Sequence, residues 1–231
     1  MVIDVAGLTK RYGRVAVVDG VGFEVSGGEV FGIVGPNGAG KTTTVECVAG
    51  LRRADAGVLA VLGGEPTSPG VRSRIGVQLQ QAALPDGMRV AEAMTLFATA
   101  YRRRTSWRPL LEEWGLADRE RARFGSLSGG QRQRLFIALA LINEPELVFL
   151  DEITAGLDPE ARRETWGLVR RLRERGGTVV LVSHDLAEVA ALCDRVAVLA
   201  AGRLVALGTP VDLAAGHADL ESAYLQLIER S

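Results

Sequence analysis

Short runs rich in β-branched residues at 2–5, 15–18 and 21–25, separated by Gly and Ser, predict three strands at the start of the chain. Residues 30–34, Val-Phe-Gly-Ile-Val, carry no polar side chain, the pattern of a strand buried on both faces of a parallel sheet. A glycine-rich stretch follows, then a predicted helix over 41–49 closed by Gly50. Further strands are predicted at 58–62 and 74–78. From 90 to 141 the apolar spacing turns helical, with Met94, Leu96, Phe97 and Tyr101, then Leu110, Leu111 and Trp114, then Leu135, Ile137, Ala138 and Leu141. Residues 147–150 form the next apolar strand. Asp158 and Pro159 read as the cap and first position of a helix that stops near Gly176 and Gly177. Strands at 178–183, 196–199 and 203–207 enclose a helix at 186–192 and a turn at Ala201-Gly202. A helix opens at Thr209-Pro210, and 217–230 has the pattern of an amphipathic helix.

Buried strands alternating with helices predict an α/β fold with a mainly parallel sheet. The block 81–141 reads as a helical lobe inserted into it, so 1–231 is expected to be one domain with 1–80 and 142–231 forming its core. An apolar share of 47% and a charged share of 24% fit a globular chain, and a net charge of −1 argues against nucleic acid as a partner. Lys10 and Lys41 are the only lysines among 27 basic residues, which singles out Lys41 inside a motif. Cys47 and Cys193 stand apart from any ligand cluster and read as small buried residues. Residues 1–10 lack the apolar core of a signal peptide, and no window approaches the ~18 apolar residues of a membrane span. The chain is expected to be soluble, with any membrane attachment supplied by another polypeptide.

Gly35-Pro36-Asn37-Gly38-Ala39-Gly40-Lys41-Thr42, followed by Thr43, fits G-x-x-x-x-G-K-[ST] between a predicted strand and helix. Glycines let successive N–H groups converge on an anion, and the helix start adds its positive dipole end. Lys41 can reach the β- and γ-phosphates, and the Thr42 hydroxyl can ligate Mg²⁺. The apolar strand 147–150 ends in Asp151 and Glu152. Alone that is a solvated strand end. Beside a phosphate loop it becomes the other half of a nucleotide–Mg²⁺ site, with Asp151 suited to the cation and Glu152 to polarising water.

Leu127-Ser128-Gly129-Gly130-Gln131, ahead of a predicted helix, offers a second anion cradle of hydroxyl, glycines and helix N-terminus. This segment, a short distance before the acidic strand, resembles the signature motif of ABC ATPases. The resemblance covers about residues 3–210. It implies a RecA-like P-loop core, an N-terminal antiparallel β subdomain and an inserted helical subdomain. It further implies that Tyr12 stacks on adenine, that Gln80 touches Mg²⁺ and links core to lobe, and that His184 contacts the γ-phosphate. Gln78 and Gln81 lie close enough to Gln80 to compete for that register. Ala155-Gly156-Leu157-Asp158 resembles the loop that crosses the dimer interface. Ile153 stands where many relatives carry Pro; proline there would only stiffen the exit from the strand, so the chemistry is expected to survive.

The resemblance implies an ATPase that binds ATP and Mg²⁺ between two head-to-tail subunits, with a homodimer expected. It would power a separately encoded integral-membrane permease from the cytoplasmic face of the membrane. Residues 177–210 look most like bacterial two-component exporters of drugs, antibiotics or lipids, while the motor of an importer stays open. A soluble ABC ATPase acting on ribosomes or DNA is the competing class; relatives of that kind carry paired domains or long coiled coils, and this chain shows neither. A plain P-loop kinase or GTPase would leave residues 127–131 unexplained.

Overall fold

The computed structural model describes residues 1–80, 82–101 and 106–229, so Gln81 and Arg230 lie outside the described residues. The chain opens with strands β1 (Ile3–Tyr12) and β2 (Val15–Val25), joined later by β4 (Ala56–Val61) in an antiparallel sheet of order β2-β1-β4. The predicted strands at 15–18 and 21–25 are therefore one, and the first runs on to Tyr12. The pairing of β1 with β2 shifts register between Val5 and Leu8 and again between Leu8 and Lys10. Such bulges bend a strand without ending it, so the glycines that read as punctuation mark bends.

The main sheet contains β3 (Val30–Val34), β5 (Ile75–Gln78), β6 (Leu147–Asp151), β7 (Thr178–Val182), β8 (Arg195–Ala200) and β9 (Arg203–Gly208). Its order is β5-β6-β7-β3-β8-β9, parallel except for β9 against β8. Every residue of β3, β6 and β7 is buried. Alternate residues serve two cores. Phe31, Ile33, Phe149, Val180 and Val182 pack with the antiparallel sheet and helix α1 (Lys41–Val48). Val30, Val34, Val148, Leu150, Val179 and Leu181 pack toward the helices of the opposite face. This is the period-two alternation of a strand with both faces covered.

A one-turn helix, α2 (Pro69–Arg72), was not visible in the apolar spacing; Ser68 caps it by accepting from the Val71 N–H, with Pro69 at its first position. The predicted helical block resolves into α3 (Val90–Ala100), α4 (Arg108–Glu113), two short 3₁₀ turns and α5 (Gly129–Ala140). Met94, Leu111, Trp114 and Leu135 form its buried centre, whereas Leu96 and Phe97 of α3 are exposed. The remaining helices are α6 (Pro159–Glu174), α7 (Leu186–Leu192), α8 (Pro210–Ala214) and α9 (Leu220–Glu229). The last begins three residues beyond the predicted start, where the Asp219 side chain accepts from the Ser222 N–H. Among the described residues no helix is long and apolar enough to cross a membrane.

Helices α5 and α6 meet at Gly130, where an added Cβ would lie 3.0 Å from the Cβ of Ala161. Arg134 and Glu164 pair alongside at 3.1 Å. Gly130→Val is expected to destabilise the protein by about 1–3 kcal/mol, the usual cost of overpacking. Adding Ala161→Gly should recover part of that loss. Urea midpoints of wild type and the two variants check this, and a Gly130→Val protein as stable as wild type would show that the helices have room to spare.

Candidate functional site

Four neighbouring parallel strands end side by side, and each carries a predicted site residue at its C-terminal end. In sheet order these are Gln80 beyond β5, Asp151 and Glu152 at the end of β6, His184 beyond β7 and the glycine-rich loop 35–40 beyond β3. Side-chain chemistry in open α/β sheets gathers at this edge because the strand interiors admit none.

The loop already holds its shape. Lys41 folds back so that Nζ donates to the carbonyls of Gly35 at 2.8 Å and Pro36 at 3.1 Å. Pro36, Asn37 and Gly38 are open to solvent to different degrees, while Ala39 and Gly40 are buried. Burial lowers the Lys41 pKa, and the nearby charges of Glu152 and Asp151 act against that shift. Thr42 is exposed at the start of α1 and Thr43 half-buried behind it.

Asp151 is 2% exposed, and its Oδ2 has no hydrogen-bond partner. Burial raises its pKa from 3.8 to about 6, helped by the charge of Glu152 and opposed by Lys41 and by a hydrogen bond from the Gln80 backbone. An unsatisfied buried carboxylate oxygen fits a hard divalent cation and its waters, and the exposed Thr42 offers a hydroxyl as a further oxygen donor. Gln78 does not compete for this place. Its Nε2 donates to the Leu79 carbonyl and its Oε1 accepts from the Asp151 N–H at 3.1 Å, so it serves as a buried tie between β5 and β6.

Glu152 sits in the left-handed region at φ 52, with its N–H donating to the Val182 carbonyl at 2.9 Å. A non-glycine residue held there stores roughly 1–3 kcal/mol of strain. The conformation turns the carboxylate between two neighbours. Gln80 Nε2 donates to its Oε2 at 2.5 Å, and His184 Nδ1 lies 3.2 Å from its Oε1. Three residues drawn from separate strands thus form one cluster. Ile153, next in sequence, is fully buried in the core.

The second cradle stands apart. Ser128 caps α5 by accepting from the Gln131 N–H at 3.2 Å, and the Gln131 side chain accepts from the Ser128 N–H at 3.0 Å. Ser128 and Gly129 are exposed. Among the described residues no hydrogen bond joins this helix start to the 35–42 loop. Asp158 caps α6 through the N–H groups of Glu160 and Ala161. Tyr12 is 43% exposed, with the Arg52 guanidinium 5.3 Å and Lys10 Nζ 5.9 Å from its ring centroid.

Two features had no sequence signal. Arg162 pairs with Asp185 at 2.9 Å, joining α6 to the residue after His184. Glu188 is 1% exposed, although an acid in the first turn of a helix reads as a solvated complement to the dipole.

The pattern of the ABC transporter family matches residues 18–155, which takes in the glycine-rich loop, the signature segment and the acidic pair. A Nod factor export ATP-binding protein I of Burkholderia orbicola (strain AU 1054) is 41% identical over 228 residues, covering 95% of this chain and 73% of the relative. A daunorubicin resistance ATP-binding protein of Streptomyces coeruleorubidus is 44% identical over 220 residues, covering 92% and 70%. Among solved structures, an ATP-binding subunit of an ABC transporter superposes with a TM-score of 0.87 at 28% identity, over 98% of this chain and 99% of that one. A dimeric bacterial ABC transporter cassette gives 0.80 at 26% identity, over 90% and 98%.

A carboxylate whose pKa rises on folding binds its proton more tightly in the folded chain. The cost of keeping Asp151 charged is therefore absent below its ordinary pKa of 3.8 and complete once the pH has passed about 6. Asp151→Asn should raise the melting temperature of the nucleotide-free protein at pH 7.5 by about 2–4 °C, the shift 1 kcal/mol produces at this size. That gain should shrink toward pH 4. Scanning calorimetry at both pH values checks it, and a gain independent of pH would show that charge is not its cause.

Proposed function

This chain belongs to the ABC transporter family as an ATP-binding, ATP-hydrolysing cassette, and from that premise we propose how its own residues divide the work. Two copies pair head to tail, with ATP held between the 35–42 loop of one and residues 128–131 of the other. The N–H groups of Gly38, Ala39, Gly40 and Lys41 and the Lys41 ammonium bind the phosphates, with Thr43 supporting the loop. Tyr12 stacks on adenine from a ring already backed by Arg52. Thr42, Asp151 and Gln80 would hold Mg²⁺, which would supply positive charge to neutralise the phosphates.

Phosphoryl transfer to water depends on positioning and electrostatics more than on covalent chemistry. Glu152 orients and polarises the attacking water, His184 holds that carboxylate and reaches the γ-phosphate, and Gln80 reports cation binding to the lobe. The observation that carries this reading is the Glu152 carboxylate fixed between Gln80 and His184, beside the unsatisfied oxygen of Asp151. Ser128 and Gln131 are tied up in the cap of α5, leaving the backbone of Gly129 and Gly130 and the helix start to face the partner's nucleotide. Asp158 and its loop cross between the protomers.

The chain works as a single ATPase domain, with 1–80 and 142–231 as core and 81–141 as the lobe that passes closure to a separately encoded membrane permease. It sits on the cytoplasmic face of the membrane and has no nucleic-acid partner, consistent with its net charge of −1. Relatives named for Nod factor export and daunorubicin resistance favour an exporter of drugs, antibiotics or lipids.

Glu152→Gln keeps the hydrogen-bonding shape and removes the basic oxygen. Turnover should fall by at least about 100-fold, the range for loss of a general base, while nucleotide affinity stays near wild type. The variant should also elute as a dimer with Mg-ATP. Phosphate release and light scattering check this, and a fully active Glu152→Gln protein would remove Glu152 from the mechanism.

A further inference from the structure

Glu188 lies wholly inside the protein, yet among the described residues it forms no ion pair. Three neutral donors satisfy it instead. Thr154 Oγ1 at 2.8 Å and Trp166 Nε1 at 3.0 Å both donate to Oε1, and Ser183 Oγ donates to Oε2 at 2.6 Å. The sequence positions of these donors give the arrangement its meaning. Thr154 lies two residues after Glu152 and begins the turn that leads to Asp158, with its carbonyl accepting from the Leu157 N–H. Ser183 immediately precedes His184. Its Oγ also accepts from the Asp185 N–H at 3.0 Å, so the strand end and the start of α7 are locked together.

Glu188 is itself held in place. Asp185 caps α7 through the N–H groups of Ala187 and Glu188, and Arg162 of α6 grips the other oxygen of Asp185. Arg162 and Trp166 are one helical turn apart, so a single face of α6 reaches the first turn of the short helix that carries the buried acid. An apolar residue would fill the same volume with no cost of burying charge. Only a carboxylate accepts all three donors together.

We propose that Glu188 is a positioning residue for ATP hydrolysis. By holding Thr154 on one oxygen and Ser183 on the other, it sets the spacing between Glu152, His184 and the loop at 155–158. The inference rests on reading Glu152 and His184 as the hydrolytic pair. Thr154 and Ser183 are joined through Glu188, so breaking either link should release the same constraint.

The test uses the full chain with Thr154→Val, Ser183→Ala, the double variant, Glu188→Ala and Trp166→Phe. Each of the first two should lower kcat about 10-fold, at the low end for groups that orient a site residue, with KM for ATP within about twofold. The double variant and Glu188→Ala should fall no further than about 10–30-fold, because the second cut severs a link that no longer positions anything. A multiplicative loss of about 100-fold in the double variant overturns the proposal. Trp166→Phe removes the third donor without touching either loop, and its kcat should stay within about twofold of wild type. A loss there as large as in Thr154→Val would make Glu188 general support for the fold. Hydrogen exchange on the nucleotide-free protein gives a reading that does not need turnover. Ser183→Ala should speed exchange at 154–158 as well as at 183–188, with 30–42 unchanged. Acceleration confined to 183–188, or spread evenly over the chain, overturns the linkage. A wild type that hydrolyses no Mg-ATP sinks the reading of Glu152 itself, and the exchange pattern then decides the role of Glu188 separately.

Discussion

Strands β3, β6 and β7 bury every residue, so each needs a covering layer on both sides and a place outside the core for polar chemistry. That requirement organises the molecule. The antiparallel sheet and α1 close one face, and the helices close the other. Polar groups collect where the strands stop, and parallel strands stop on the same side. The phosphate loop, the acid pair and the histidine are adjacent because β6, β7 and β3 are adjacent.

The two cradles are satisfied differently. Ser128 and Gln131 cap one another at the head of α5, each side chain accepting from the other's N–H. Asp151 retains a buried oxygen with no partner, and burial with the neighbouring charge of Glu152 raises its pKa. The strained backbone of Glu152 belongs with Asp151, since strain endures where surrounding contacts impose it. An unpartnered oxygen and a strained backbone on adjacent residues at one strand end suit a place where a ligand binds.

Much of this was legible in advance because the informative signals are local. The loop 35–42 needs only its own glycines and lysine, and the strand ending in Asp151 and Glu152 announces both burial and exit. Asp158 with Pro159 marks the start of α6 to the residue. Merging of the strands at 15–18 and 21–25 was not legible, because bulges in the pairing with β1 decide it and the partner strand lies elsewhere in sequence. Gln78 and Gln80 were not separable in sequence, because both reach the end of β6 and only their partners differ: the Asp151 N–H for one, the Glu152 carboxylate for the other. The exposed Leu96 and Phe97 kept helical spacing with Met94 without sharing its burial. Glu188 could not have been found, because an acid at a helix start has the same local signature whether it faces solvent or three buried donors.

The fold-back of Lys41 onto the carbonyls of Gly35 and Pro36 has an energetic side. The ammonium ties the start of the loop to the first residue of α1 through contacts that a phosphate can take over. An arriving nucleotide then has little backbone to freeze, and preorganised receptors lose less entropy on capture. What is not consumed in shaping the receptor remains free to draw a second chain across the gap. An internal lysine contact therefore bears on how firmly two molecules embrace.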